Sequence, residues 1–344
     1  MIRNITILFF FVMLGSCNKD HAVKEPLNIS SASLIELFEL PNQKEAHNAF
    51  TDLVHFQDQF YICFRSSDKH VNGEDGVIKV YAASKSLFFN EILKFTVNGV
   101  DLRDPKFTIV DDKLHLYIHG TVFENGTAIG FKDYLSTFDE GTWSDLSEVY
   151  LRDVDQTYNE AWPWKVTYHN GSFFTVGYNQ GVFSIYSSID GVNFSEQLDL
   201  LPFIDYRPAS EAIIKIVDNT YYLVSRVYQE NAIILSSNDP LDSWQYLDDI
   251  PLKTFGGPEV EIFNNNNFLL SGRKNLDDGT QKLIISSYNL SESKFDELLV
   301  LPGEKDLGYP GMVLIDSNKL YVSYYSSDSG ITTVKFAAIS IETD

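Results

Sequence analysis

The sequence predicts an all-β protein, a six-bladed β-propeller whose last blade is closed by a strand from its own N-terminus. Three observations predict it. Apolar and polar residues alternate with a period of two along the chain, and no long amphipathic helix interrupts them. Paired runs flank turn clusters such as Asp111-Asp112, Asn170-Gly171, Asp218-Asn219 and Asp316 to Asn318. Aromatics close successive units at Phe89, Trp143, Phe194, Trp244 and Phe295, at spacings of 54, 51, 50 and 51 residues. A repeat of that length made of four short strands buries its faces only against its neighbours, which is what a propeller blade requires.

The chain begins with Met1-Ile2-Arg3-Asn4, one positive charge ahead of the apolar run Ile5 to Leu14, which is too short to span a bilayer. It ends in Leu14-Gly15-Ser16-Cys17, which resembles a bacterial lipoprotein cleavage box. The resemblance implies residues 1–17 as a leader with Cys17 lipidated, 18–33 as a polar tether, and 34–344 as the propeller domain. It also implies an outer-membrane lipoprotein, facing the periplasm or the cell surface, that meets the membrane through acyl chains only. Cys63 is the one other cysteine, so no disulfide staples the domain and packing must hold it. A formal net charge of −22 excludes nucleic acid as a natural partner and disfavours anionic membranes. A monomer is expected.

The repeated unit is a hairpin followed by a third strand and the aromatic. Hairpins are read at Val166 to His169 with Ser172 to Val176, Ile213 to Val217 with Tyr221 to Ser225, Val260 to Phe263 with Phe268 to Ser271, and Met312 to Ile315 with Leu320 to Tyr324. Ser188-Ile189-Asp190-Gly191-Val192-Asn193-Phe194, and more loosely Ser136 to Trp143 and Ser237 to Trp244, resemble the Asp-box of sialidases, a structural turn without a catalytic part. Five units fill Phe50 to Leu301. The sixth starts at Tyr309, stops after Ile331 to Ile341, and lacks a strand; Leu34 to Leu40 alternates like one and is expected at its outer edge. A five-bladed ring with an added hairpin and a two-sheet sandwich are the alternatives, and the even spacing argues against the sandwich.

In a propeller the first strands line the axis, so polar residues near their starts and at the ends of second strands meet at one mouth. These are Arg65 and His70; Arg103 and Asp104; Glu160 and Trp162; Arg207, Glu211 and Arg226; Glu259 and Arg273; and Tyr309 with Tyr324-Tyr325. Guanidinium forks pair with carboxylates and aromatics stack on sugar faces, so the set points to an acidic glycan. Phe64-Arg65, the stretch Glu211 to Arg226, and Gly308-Tyr309-Pro310-Gly311-Met312-Val313 resemble segments of the sialidase superfamily, and Phe64 to His70, Asp101 to Lys106, Glu160 to Trp164 and Tyr309 to Met312 resemble a bacterial sialidase-like branch of unassigned substrate. The resemblance implies an exo-acting glycoside hydrolase with Tyr309 as nucleophile, Glu211 as its base and Asp75 as general acid, with Asp68 and Asp104 competing for the last role. It implies Arg65, Arg226 and Arg273 as a carboxylate clamp, although Arg273 lies earlier in its unit than the pattern asks. His70, Arg103, Asp104, Trp162 and Glu259 complete the expected substrate contacts.

Structural roles compete at several positions: an ion pair for Glu211 with Arg226, core packing for Trp162, Trp164 and Tyr309, a capped strand start for Arg103-Asp104-Pro105. A glycan-binding propeller without turnover, or a lyase on uronic-acid glycans using His70 or His119, are the alternative functions. No metal-ligand spacing, phosphate loop or Ser-His-Asp pattern is present in the sequence, so neither metal nor cofactor is expected.

Overall fold

The computed structural model describes residues 28–155, 161–328 and 330–344. Cys17, residues 18–27 of the expected tether, and Glu160 lie outside the described residues. The chain is all-β, and its one helical element among the described residues is a 3-10 turn at Leu201–Ile204.

Strand β1 covers Ile29–Glu39, and four-stranded units follow in chain order. The first holds β2 (His47–Phe56), β3 (Gln59–Ser67), β4 (Val77–Ala83) and β5 (Asn90–Phe95). The second holds β6 (Asp101–Val110), β7 (Lys113–Glu124) and β8 (Thr127–Asp139), then the short β9 (Thr142–Trp143) and β10 (Ser147–Arg152). In the third, β11 (Trp162–Pro163) and β12 (Thr167–His169) both pair with β13 (Ser172–Asn179), followed by β14 (Val182–Ser188) and β15 (Asn193–Asp199). Then come β16 (Ala209–Val217), β17 (Thr220–Val227), β18 (Asn231–Asp239) and β19 (Ser243–Lys253). The fifth unit is β20 (Gly256–Asn264), β21 (Asn267–Asn275), β22 (Gln281–Asn289) and β23 (Lys294–Leu301). The last is β24 (Leu307–Ile315), β25 (Lys319–Asp328) and β26 (Ile331–Thr343).

Its fourth strand is β1, antiparallel to β26 from Ile29 opposite Thr343 to Glu39 opposite Lys335. The strand therefore starts at Ile29, and residues 29–33 belong to the sheet instead of the expected tether. Backbone pairing, which alternation cannot report, carries it that far, while Phe38 packs its ring 5.3 Å from Phe336.

The first strands of successive units touch in order, and the last touches the first. Phe107 N donates to Asp52 at 2.7 Å, Thr108 Oγ1 to Val166 O at 2.7 Å, and Thr167 Oγ1 to Ile214 O at 2.9 Å. Lys215 reaches Glu261 at 3.5 Å, and Thr51 Oγ1 donates to Tyr309 O at 2.8 Å. Apolar side chains fill the spaces between neighbouring sheets, as Ile78 and Val80 do with Leu102, Leu114 and Leu116. Each such fully buried side chain contributes roughly 1.5–3 kcal/mol. Phe89, Phe194 and Trp244 are buried at those junctions, as the spacing predicts. Asp190 Oδ1 accepts from Val192 N and Asn193 N at 2.8 Å each, so this turn is structural.

Candidate functional site

First strands share a local distortion. Register slips between Ala49 and Asp52, Arg103 and Lys106, Ala209 and Ala212, Gly256 and Glu259, and Gly308 and Gly311. Such a bulge bends its strand and re-aims the side chain at its apex. Phe50, Asp104, Gly257 and Tyr309 occupy these bulges with φ of 60°, 44°, 62° and 48°. Left-handed backbone costs a non-glycine residue about 1–2 kcal/mol, a strain that collects at functional positions. Gly257 is required twice over: a Cβ there would lie 2.7 Å from Tyr309 Cα, and its φ is positive.

Tyr309 is the centre of the arrangement. Its Oη donates to Glu211 Oε1 at 2.7 Å, and the same oxygen accepts from Arg226 at 2.8 Å. Glu211 Oε2 accepts from Gly257 N at 2.6 Å, so the carboxylate is fixed from three directions. Burial, then the charge of Glu211, pushes the Tyr309 phenol well above its ordinary range, so its proton leaves only to a base already in contact. The Arg273 guanidinium stands 5.3 Å from the Tyr309 ring centroid, and Phe50 and Trp164 pack against that ring edge-on at 5.3 and 5.6 Å. Glu211 holds Arg226 firmly charged, against the opposing effect of burial.

The expected general acid is elsewhere. Asp75 is exposed and accepts from Gly99 N at 2.9 Å, which makes it the cap of a surface turn. The carboxyl besides Glu211 whose charge bears on Tyr309 is Asp104, 7% exposed, with Oδ1 lacking a protein partner. Burial raises its pKa above the usual carboxylate range, although Arg103 and Lys106 oppose the rise. Asp68, the other competitor, is exposed, and its carboxylate caps Glu74 N at 2.7 Å.

Arg65 also departs from expectation. It is 0% exposed; Nε donates to Asp101 at 2.7 Å and one terminal nitrogen to Lys69 O at 2.8 Å. Gly76 N donates to the same Asp101 oxygen at 2.9 Å, so Asp101 ties Arg65 into the junction between the first two units, while the second terminal nitrogen of Arg65 is buried without a hydrogen-bond partner in the protein. Arg103 shares Asp101 at 3.3 Å and stands 5.1 and 5.8 Å from the rings of Phe50 and Trp162. Trp162 is half-buried and stacks 3.8 Å from His119, whose Nδ1 bonds Asp133 at 2.7 Å. Trp164 is core, with Lys106 Nζ over its ring at 4.8 Å.

Glu259 is the third correction. It is 1% exposed and paired with Lys165 at 2.6 Å and Lys215 at 3.7 Å, while Lys165 also holds Asp52 at 3.1 Å. This charged network ties first strands of separate units together, with Glu259 and Asp52 buried inside it and Lys165 and Lys215 partly exposed. Beyond it a cavity of about 440 Å³ opens among the far ends of the first strands, lined in part by His55, Thr167 and Glu261. His70 bonds Asp306 at 2.8 Å, and Arg273 bonds the other oxygen of Asp306 at 2.9 Å. Asp306, Phe50 and His47 were not singled out by sequence. One signal was available: the X-Pro pairs Asp104-Pro105, Trp162-Pro163, Gly257-Pro258 and Tyr309-Pro310 recur where first strands begin.

Buried polar atoms without a protein hydrogen-bond partner gather here: Arg103 Nε, Asp104 Oδ1, His119 Nε2, Trp162 Nε1, Arg226 Nε and Arg273 Nε. Such atoms are rare in folded proteins, and their concentration around Tyr309 marks a site made for a polar ligand.

No family model and no curated protein matches the chain. Among solved structures it is similar to a protein of unknown function from Dyadobacter fermentans, at 16% identity and a TM-score of 0.76 over 91% of this chain and 100% of that one. It is also similar to Trypanosoma rangeli sialidase in a covalent complex with 2,3-difluorosialic acid, at 11% identity and a TM-score of 0.66 over 89% of this chain. The chain spans 59% of that enzyme's length. NanB sialidase from Streptococcus pneumoniae matches at 9% identity and a TM-score of 0.65, over 90% of this chain and 70% of that one. These likenesses define a sialidase-like fold.

Proposed function

We propose that this protein is an exo-acting glycoside hydrolase of sialidase type, acting on an acidic sugar at the mouth of a six-bladed propeller. The observation that carries the reading is the 2.7 Å bond from Tyr309 Oη to Glu211 between the guanidinium groups of Arg226 and Arg273. The closed order of contacts among first strands supports the six-bladed count.

In this reading Glu211 takes the phenolic proton as Tyr309 attacks the anomeric carbon, and Asp104 protonates the departing glycosidic oxygen. Water then reverses the first displacement, with Asp104 as base and Tyr309 recovering its proton. A phenol suits an anionic sugar because it starts neutral, whereas a carboxylate nucleophile would repel the substrate. Arg226 and Arg273 receive the sugar carboxylate, a clamp of two where the resemblance asks for three. Trp162 and Arg103 form the wall toward the leaving group.

The test is hydrolysis of aryl glycosides of acidic sugars, sialic acid first, by the full chain and by Tyr309→Phe. Turnover that the variant loses supports the reading; no turnover on any acidic glycoside, with binding retained, makes the protein a glycan-binding module. His119 favours a second reading, a uronate lyase, because Asp133 orients its ring while Nε2 has no protein partner beside Trp162. Unsaturated products absorbing in the ultraviolet would identify that chemistry. Residues 1–17 are proposed as a lipoprotein leader with lipidated Cys17 as the anchor in the outer membrane, tested by palmitate labelling and its loss in Cys17→Ser.

A further inference from the structure

A cluster beside the site remains unused by this chemistry. His47 at the start of β2, His70 after β3 and Asp306 just before β24 bring potential ligand atoms within 4.8 Å of one another. His70 Nδ1 is 2.8 Å and His47 Nε2 3.9 Å from the same oxygen, Asp306 Oδ2. The two rings meet edge-on with centroids 5.0 Å apart. His47 is 7% exposed, yet neither of its ring nitrogens has a hydrogen-bond partner in the protein. A buried imidazole with both nitrogens idle is costly unless something else engages it. The other oxygen of Asp306 is held by Arg273 at 2.9 Å and Tyr325 Oη at 3.1 Å, the kind of outer support that orients a ligating carboxylate.

We propose that His47, His70 and Asp306 form a binding site for a divalent transition metal of the zinc class. Two imidazoles and one carboxylate suit zinc, iron(II), nickel or copper, whereas magnesium and calcium prefer all-oxygen sets. Zinc–nitrogen bonds of about 2.0–2.1 Å place ligand atoms a little over 3 Å apart. The observed 2.8 Å from His70 and 3.9 Å from His47 to Asp306 bracket that spacing, so sub-ångström shifts of the His70 ring, 44% exposed, would meet it. Three protein ligands leave coordination positions for an oxygen of a bound ligand. Phe50 separates the cluster from the nucleophile, its ring 5.1 Å from His70 and 5.3 Å from Tyr309. A bound cation would fix Asp306, through it Arg273 above Tyr309, and would add positive charge where an anionic sugar is expected. The sequence could not show this set, because its members lie far apart along the chain and have no motif spacing.

The test uses the full chain, stripped with chelator, desalted and titrated with zinc and with cobalt(II). One metal per chain, a cobalt absorption spectrum in the visible range and a raised melting temperature are expected. His70→Ala, at an exposed position that leaves the fold intact, and Asp306→Asn should each weaken binding by roughly 100-fold or more. Substoichiometric metal in the desalted wild-type chain, or His70→Ala binding as tightly as wild type, overturns the proposal. Neither outcome depends on any hydrolase activity.

Discussion

Tyr309→Phe removes one oxygen and leaves the ring in place against Phe50 and Trp164. The lost bond, 2.7 Å to a carboxylate, belongs to the charge-assisted class worth about 1.5–3 kcal/mol when its partner is stranded. Glu211 is not stranded, since Arg226 at 2.8 Å and Gly257 N at 2.6 Å remain. The expected loss of stability is therefore about 1 kcal/mol, small against the roughly 5–15 kcal/mol of a folded domain. If Tyr309 is the nucleophile, turnover falls by about a thousandfold or more, which is ~4 kcal/mol of transition-state stabilisation. Urea denaturation, steady-state hydrolysis of an acidic aryl glycoside and calorimetric binding of the free sugar separate these effects. Binding should persist while kcat collapses. A variant that folds, binds and turns over within about threefold of wild type would refute the assignment, because no other described group occupies the place of Tyr309 against Glu211.

Asp104→Asn should lower kcat by about 10²- to 10⁴-fold on poor leaving groups and remove the basic limb of the pH profile, measured with leaving groups of differing acidity. Because burial raises the folded-state pKa of Asp104 above 3.8, its contribution to stability is complete below that value and is lost as pH climbs through the folded-state pKa. The Asn variant should accordingly melt higher than wild type at neutral pH and lose that advantage in acid. Glu259→Ala should cost about 1–3 kcal/mol in urea, because Lys165 loses one carboxylate but keeps Asp52 and Lys215 keeps Glu261, with KM unchanged. Asp190→Ala frees two backbone N–H groups and should cost about 1 kcal/mol. Backbone donors outweigh burial and hold the Asp190 pKa below its ordinary value, so its contribution is present above pH 3.8 and fades as pH falls, and the two melting curves should converge in strong acid.

The repeating units were legible because they rest on local patterns: alternation, turn residues and an aromatic at each junction. The closing strand was legible as a missing strand at one end and an unassigned one at the other. The Tyr309–Glu211–Arg226 group came from resemblance, and the geometry brings the three together. Asp75 misled because it lies at the rim in sequence order, yet the partner that decides its role, Gly99, comes later in the chain, as does Asp101, the carboxylate that holds Arg65. Glu259 points along the axis because of a bulge, and one slipped residue changes which face of a strand a side chain meets. Asp104 was seen but ranked behind Asp75, since burial and left-handed backbone leave no trace in composition.

The pairing of β1 with β26 has a consequence for how the protein is made. Ser31 bonds Glu342 across 311 positions, and Asp344 N reaches Asn28 O at 3.2 Å, so the last unit waits for the final residues of the chain. Until β26 is made, β1 has no mate, and the outer edge of the last unit stays unpaired. Completion is thus a single late event of very long loop closure, a slow kind of step, during which the unpaired β1 segment is the part most in need of a chaperone. The same adjacency of Asn28 and Asp344 allows these two positions to be joined by a short linker and the domain reopened between β1 and β2, so that β1 follows β26 directly.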